Sequence, residues 1–561
     1  FQAEDGIRDR SPSRGLGDVY KRQIAERVEG NLLAAHQEIL KLGLLYPAGK
    51  LTLQQVQEAV LNVARYDLDG LREALLAGDV TRLTRTLDGL QQEGEAPLLV
   101  LWALTEEVRA LAQVKAGLNA RQSLDVLLKE ARVWGLRQSL FKRALQRIDG
   151  IGGCFNELGW DALSLLDEAD REEILADFFA PGAGLNLSLC RMPVGANDFS
   201  RDWYSYDEVP DDLALEHFSI DHDRATLVPF IHAAQRHRPD VRLWASPWSP
   251  PTWMKVNGHY ACALPHPFMN SENGLRPDQA TREGMDTFKV SEPYLSAYAR
   301  YVGKFLDAYA AVGIGIEMVM PQNEFNSAQV FPSCTWTPAG LASFVAVLGP
   351  ELDRRGVRLF LGTQERPDDT QIEHVLADPH AGRYVQGVGF QWAGKGAIAA
   401  VRHAHPELEL YQTEQECGDG RNDWRFCRYA WTLMRHFFSH GVTSYAYWNL
   451  ALLSGGVSRW GWAQNSLVVV DPETRTARRT HEYYLLKHLS HFLQPEARRI
   501  ATFSWTGHEN QLAFVNPDGS VVVVAQNDLA EDLPVTYLLG GESFTVTLPA
   551  DSFATLVVPA P

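Results

Sequence analysis

Two glutamates, Glu324 and Glu414, each end a short run of strand-forming residues, Ile316-Glu-Met-Val-Met-Pro-Gln-Asn323 in one case and Glu409-Leu-Tyr-Gln-Thr413 in the other. Carboxylates brought face to face can cleave a glycosidic bond, one serving as acid and base while the other attacks the anomeric carbon. Asn323, beside the first, offers an amide to a sugar 2-hydroxyl, a contact that tightens in the transition state. Similar runs end in Asn156, Trp248, Gln391-Trp392 and Trp448, with Asp198 just beyond another. Indole faces suit the C–H groups of a sugar ring, with packing the plainer role for any one tryptophan. Glu416, two residues past Glu414, competes for the attacking role.

Such residues need a scaffold that gathers the ends of distant strands. Over 148–490, strands are expected at 149–155, 185–191, 241–247, 316–323, 357–363, 385–391, 409–413 and 443–449, separated by longer helical segments. Eight such units make an α/β fold, the (β/α)8 TIM barrel, whose chemistry sits at the C-terminal strand ends. Glu324 and Glu414 then follow strands 4 and 7 and face each other across the mouth. After a helix beginning at His481-Glu-Tyr-Tyr-Leu-Leu486, residues 491–561 alternate in short strands at 511–515, 521–525 and 543–547 with Pro-Asp-Gly and Gly-Gly turns, the pattern of a C-terminal β-sandwich. The aromatic-rich loop 458–465 after strand 8 either builds outer subsites or packs.

The 561 residues are 45% hydrophobic and 22% charged, the balance of a multidomain globular protein rather than a disordered chain. The net charge of −18 is unevenly spread, +1 over 1–23, +1 over 24–147 and −20 over 148–561. So acidic a region repels phosphate backbones, and no nucleic-acid partner is expected for the barrel. No run approaches the roughly 18 apolar residues of a membrane span, and no secretory leader is visible, so a cytoplasmic location is expected. Six cysteines without a CxxC pair argue against a disulfide framework or a structural zinc, and no metal or cofactor is expected. Cys154 and Cys190 read as buried apolar residues; pairing among Cys262, Cys334, Cys417 and Cys427 stays open.

Residues 1–23 lack apolar periodicity and read as a non-native or disordered leader. Residues 24–147 read as an all-α helical bundle fragment. Thr52 and Gln55 form a capping box ahead of Val56, Val60 and Val63, Leu71, Leu75 and Leu76 repeat the spacing, and Pro97 opens a run through Leu98, Leu101 and Leu104. The passage Arg27-Val-Glu-Gly-Asn-Leu-Leu-Ala-Ala-His-Gln-Glu-Ile39, with Leu51-Thr-Leu53 and Arg132-Val-Trp134, resembles the C-terminal helical domain of the bacterial DNA polymerase III delta subunit. The resemblance implies a collar that assembles a clamp loader. The upstream ATPase-like domain and clamp-binding element find no match here, so clamp-loader partners are not expected. Near Arg147 the texture changes without a Pro/Gly/Ser linker, which points to a fusion of unrelated pieces.

From 148 onward, Gly152-Gly-Cys-Phe-Asn-Glu157, Arg191-Met-Pro-Val-Gly-Ala-Asn-Asp198-Phe-Ser200, Ala245-Ser-Pro-Trp-Ser-Pro-Pro-Thr-Trp253-Met-Lys255, Asn323-Glu324, Thr413-Glu414 and Tyr447-Trp-Asn-Leu-Ala-Leu452 resemble glycoside hydrolase family 30, which includes the glucosylceramidases. The resemblance implies Glu324 as acid/base and Glu414, directly after a small hydroxyl residue, as nucleophile. It also implies that Asp198, Trp248 and Asn323 touch the sugar, with Gln391, Trp392 and Trp448 along the wall. A carbohydrate or glycoside is the implied substrate, of β-glucoside type as in the glucosylceramidases; β-xylosides and β-1,6-glucan also fit. Glu324 is expected to start protonated, raised by Glu414 and by desolvation, and the reaction to pass through a covalent glycosyl-enzyme with retention. Two departures stand out. Phe325 replaces the proline frequent after Asn-Glu, and Gln391-Trp392-Ala393 replaces the His-Trp-Tyr of glucosylceramidases. The family's sandwich is completed by N-terminal strands, which the helical fragment displaces, so an unpaired sandwich edge is expected.

Overall fold

The computed structural model describes residues 67–119, 122–265, 272–504 and 509–560. The leader, the Thr52–Gln55 capping box, Val56, Val60, Val63 and the motifs at 27–39 and 51–53 lie outside them. A division after Leu127 separates two compact units.

In the first unit, helices Leu68–Ala77, Val80–Gln92 and Pro97–Asn119 follow one another. Asp67 and Asp79 cap the first two by accepting from the Gly70 and Arg82 amides, satisfying donors a helix start leaves free. Leu71 and Leu90 form a small core with Leu68, Leu83, Leu87, Val100 and Leu104. Of the apolar run after Pro97, Leu104 turns to this core, while Leu98 and Leu101 are 80% and 61% exposed. The spacing of that run thus marks a helix without marking a single buried face.

The second unit holds a closed barrel of eight parallel strands in sequence order: β1 Gly150–Cys154, β2 Leu189–Val194, β3 Arg242–Pro247, β4 Met318–Val319, β5 Arg358–Gln364, β6 Val385–Gln391, β7 Glu409–Glu414 and β8 Ser444–Asn449. Two strands depart from expectation. β2 starts and ends later because Leu185 and Leu187 are buried in the approach to the strand, whereas Pro193 lies within it. β4 is only two residues long. Helices such as Leu227–His237, Tyr294–Ala311 and Trp424–Ser439 bury apolar faces against the outside of the barrel.

Leu189, Trp244, Met318, Met320, Phe360 and Tyr411 fill the interior. Glycines let strands close over them: a Cβ on Gly152 would stand 1.8 Å from the Leu189 carbonyl oxygen. Below this plug, at the N-terminal strand ends, Arg242 makes a two-toothed pair with Glu317 at 2.6 and 2.8 Å and reaches Asp149 at 2.6 Å, while Arg358 meets Glu409 and Tyr411, each at 3.2 Å. The plug leaves the opposite end free to carry polar groups.

Beyond β8, strands β9 Ala451–Leu453, β10 Val468–Asp471 and β11 Thr476–Arg479 form a small sheet on either side of the loop 458–465, and helix His481–Ser490 follows. The β-sandwich then sets β12 Arg498–Ile500, β13 Gln511–Val515, β14 Val521–Asn527 and β17 Ser552–Val558 in one antiparallel sheet and β15 Leu533–Leu539 with β16 Glu542–Leu548 in a two-stranded one. Phe514 packs edge-on to Phe438 and Phe553 to Trp431, fastening the larger sheet to the barrel helix Trp424–Ser439. A cavity of about 710 Å³ remains beside the two-stranded sheet, lined by Val523, Leu533, Val535, Tyr537 and Phe544 among others. All six cysteines are buried free thiols. Among the described residues no helix is long and apolar enough to cross a membrane.

Candidate active site

The C-terminal strand ends bring Asn323, Glu324, Gln391, Trp392, Glu414, Trp248, Trp448 and Asp198 together. At their centre lies Arg191 of β2, wholly buried. Its guanidinium donates to Glu414 Oε2 at 2.7 Å, to Asn323 Oδ1 at 2.6 Å and to Ser246 Oγ at 3.0 Å. It lies over the rings of Trp248, Trp244 and Trp448 at 4.3, 5.1 and 5.4 Å. These rings exclude water, so the Arg191–Glu414 pair acts at low local dielectric, where charge interactions are strong.

Gln391 joins the two glutamates. Its Nε2 lies 3.1 Å from Glu324 Oε1, 3.4 Å from Glu414 Oε2 and 3.2 Å from Asn323 Oδ1. Thr413 Oγ1 donates to its carbonyl at 3.0 Å and fixes which end of the amide faces the carboxylates. One nitrogen so close to both keeps those two oxygens no more than about 6.5 Å apart, a closeness that suits a retaining pair at roughly 5–5.5 Å. Trp392 completes the grip on Glu414, its indole N–H donating to Oε1 at 2.9 Å.

Two of these residues adopt backbone conformations that side chains disfavour, Glu324 at φ 48° and Trp392 at φ 45°. Such left-handed positions cost about 1–2 kcal/mol each and persist where neighbours impose them. For Glu324 the neighbours are visible: the Asn323 amide donates to the Pro247 carbonyl at 2.6 Å, and its own amide to Thr363 Oγ1 at 2.9 Å. Phe325, which replaces the frequent proline, is buried, and its carbonyl accepts from the Trp336 amide at 2.9 Å.

The surroundings separate the two carboxyl groups. Burial pushes both up. For Glu414 the charge of Arg191 and the hydrogen bonds from Trp392, Arg191 and Gln391 pull back toward the ionised form. For Glu324 the negative charges of Glu365, Glu414 and Asp198 push further the same way, holding it well above the ordinary carboxylate range. The first proton therefore leaves Glu414. Asp198 is also held high, by burial and then by Glu414. Its Oδ2 accepts from Trp448 Nε1 at 3.2 Å, while its buried Oδ1 has no hydrogen-bond partner. Trp248 and Trp448 stack at 5.2 Å.

Other sequence candidates have structural employment. The Asn156 side chain caps helix Glu157–Ser164 and donates to Asn449. Glu416 turns from the cluster, accepting from Lys395 and Tyr429. In the loop 458–465, Trp460 packs on Trp203 at 4.6 Å and Asn465 donates to Glu482 at 2.6 Å.

Arg191, Thr363, Gln329 and Glu365 were missed as members of the site. Arg191 carried a signal: a lone cation inside an apolar strand must find a buried carboxylate. Gln329 Nε2 approaches Glu324 Oε2 at 3.4 Å and donates to Ser327 Oγ at 2.6 Å. Glu365 follows β5, paired with Arg366, and is pushed up to about 7 by burial.

Comparison with known proteins agrees with the fold. Residues 148–493 match the glycosyl hydrolase family 30 TIM-barrel domain, and residues 496–556 match its beta sandwich domain. The lysosomal acid glucosylceramidase of Mus musculus is 28% identical over 426 residues, covering 70% of this chain and 78% of its own. The endo-1,6-beta-D-glucanase neg1 of Aspergillus fumigatus is 25% identical over 447 residues, covering 74% and 86%. Among solved structures, SrfJ from Salmonella typhimurium superposes with a TM-score of 0.65 at 26% identity, covering 74% of this chain and 91% of its own. With the closed barrel, its sandwich and the matched stretches in agreement, the chain belongs to glycosyl hydrolase family 30.

Proposed function

We propose that the protein is a retaining β-glycoside hydrolase in which Glu414 attacks the anomeric carbon and Glu324 serves as acid and base. The observation that carries this reading is the unequal treatment of two adjacent buried carboxyl groups, one drawn back toward its ionised form by Arg191 and Trp392, the other pushed further up by burial and its acidic neighbours. Glu324 protonates the leaving oxygen as Glu414 forms the glycosyl-enzyme. It then takes a proton from the water that releases the sugar. Asn323, Asp198, Trp248, Gln391, Trp392 and Trp448 hold the sugar, with the unpartnered Asp198 Oδ1 accepting from a hydroxyl.

The named activities of the two relatives, on a glucosylceramide and on a β-1,6-glucan, support a β-glucoside as substrate. The polar surroundings of Glu324 favour a hydroxylated leaving group over a ceramide: Gln329, Ser327 and Arg366 lie beyond it, with Arg366 donating to Ser327 at 3.4 Å. A β-1,6-linked glucose disaccharide is therefore expected to be cleaved faster than glucosylceramide. The test is proton NMR of aryl β-glucoside hydrolysis, with β-glucose released first; initial α-glucose would refute retention. Peptide mass spectrometry after a 2-deoxy-2-fluoroglucosyl inhibitor should find the label on Glu414.

A further inference from the structure

Glu416 has both its oxygens engaged away from the sugar site. Oε1 accepts from Lys395 Nζ at 2.6 Å and Oε2 from the Tyr429 hydroxyl at 2.9 Å. Lys395 Nζ spends a second proton on the carbonyl oxygen of Trp392, 3.1 Å away. His436, from the helix Trp424–Ser439, closes the group with its Nε2 3.0 Å from the Lys395 carbonyl. Trp392 is the residue whose backbone sits at φ 45° and whose indole N–H reaches Glu414 Oε1 at 2.9 Å.

We infer that Glu416 and Lys395 are positioning residues for the reaction at Glu414, acting by pinning the Trp392 backbone in the conformation from which its indole meets the attacking carboxylate. The inference rests on the assignment of Glu414 as nucleophile made above. A left-handed backbone at tryptophan relaxes unless something holds it, and the Lys395 ammonium is aimed at its carbonyl. Lys395 is itself held by a carboxylate two residues beyond Glu414, so the loop after β7 reaches across to the loop after β6 and fixes the donor that its own glutamate needs. The remaining groups facing Glu414 are Arg191 and Asp198 from β2 and the loop after it, Glu324 after β4, Glu365 after β5, Gln391 at the end of β6, Cys154 of β1 and Cys417 of its own loop. None of them hydrogen-bonds the Glu416 side chain, whose partners are Lys395 and Tyr429.

A hydrogen bond to an ionised carboxylate favours its charged form, so losing the indole contact raises the pH at which Glu414 ionises. In Glu416→Gln, kcat/KM for an aryl β-glucoside is expected to fall about 10-fold, the worth of one charge-assisted hydrogen bond, and its acidic limb to move to higher pH. Trp392→Phe should show the same limb, Glu416→Gln/Trp392→Phe no further displacement, and Lys395→Arg much of the wild-type profile. Indole-15N NMR of the full chain gives a readout independent of turnover: the Trp392 N–H resonance, assigned by its loss in Trp392→Phe, should move toward that of a free indole in Glu416→Gln. An unmoved resonance, an unmoved acidic limb, or effects that multiply in the double variant would overturn the inference. Wild-type inactivity on every β-glycoside would instead sink the functional assignment, while the resonance still decides whether Glu416 positions Trp392.

Discussion

At the N-terminal end of the barrel two arginines, Arg242 and Arg358, stand among three carboxylates, Asp149, Glu317 and Glu409; at the C-terminal end a single buried arginine, Arg191, stands among Asp198, Glu324, Glu414 and the nearby Glu365. The residue types are the same and the balance differs. At the lower end, burial pushes Asp149 up, but Arg242, Tyr411 and Arg358 together outweigh it and hold that group below the ordinary carboxylate range, while burial leaves Glu409 raised. At the upper end, burial prevails, and Asp198, Glu324 and Glu414 are all displaced upward. The cluster with more arginine per carboxylate stabilises the fold, whereas the one with less stores protons where a reaction can draw on them.

The difference can be broken most severely at Glu414. Glu414→Gln removes the attacking oxygen and should lower kcat on aryl β-glucosides by about 10⁴-fold or more, measured against wild type in the same preparation. Glu324→Gln comes next, with a loss of roughly 10²–10⁴-fold on substrates with poor leaving groups. Glu324→Ala should recover turnover on an activated aryl glycoside with azide, giving a β-glycosyl azide; failure of azide to help would argue against the acid/base role.

At the lower end, Asp149→Asn should cost about 1–3 kcal/mol in urea unfolding through loss of a partly buried ion pair, with kcat and its pH profile unchanged. A changed profile would show that the two ends are electrically coupled. The ends also predict opposite dependences of stability on pH. Glu324, whose folded value is raised, contributes stability that is complete below the ordinary carboxylate value and is lost as pH rises through the folded one; Asp149, whose value is depressed, contributes stability present above that ordinary value and lost as pH falls through its folded value. Urea midpoints for Glu324→Gln should therefore fall less than those of wild type as the buffer is taken from mildly acidic to alkaline.

The smallest change expected is at Glu365. Its negative charge favours the protonated form of Glu324, so Glu365→Gln should lower the alkaline limb of kcat/KM by about half a pH unit. An unmoved limb would mean that solvent at the rim screens the pair.

Much of this was legible beforehand, and the reasons are local. All eight barrel strands were readable because β-branched and aromatic runs ended abruptly in polar or aromatic residues, and Glu324 and Glu414 stood at two of those ends. β2 was misplaced because Leu185 and Leu187 look like strand residues, while Pro193 argues against the place where the strand really runs. β4 was overlong because Met320 belongs to the interior plug and Pro321 follows it, so apolar character outlasts pairing. The Lys395–Glu416–Tyr429 group could not be read, since its members come from three separate segments and none is unusual alone. The run at Leu98, Leu101 and Leu104 had the right spacing for a helix, but spacing alone does not say which turns meet a partner.

Gln391, whose one nitrogen lies within 3.4 Å of both glutamates, has a consequence for the whole catalytic cycle. A side-chain amide neither gains nor loses a proton near neutral pH. Where an imidazole in that place would change charge as its neighbours exchange protons, the amide is a spacer of constant valence, the same before attack, in the ester and after hydrolysis. Proton traffic in the mouth then reduces to the carboxyl groups, and the breadth of the working pH range becomes a direct measure of how far apart the barrel drives two chemically identical acids.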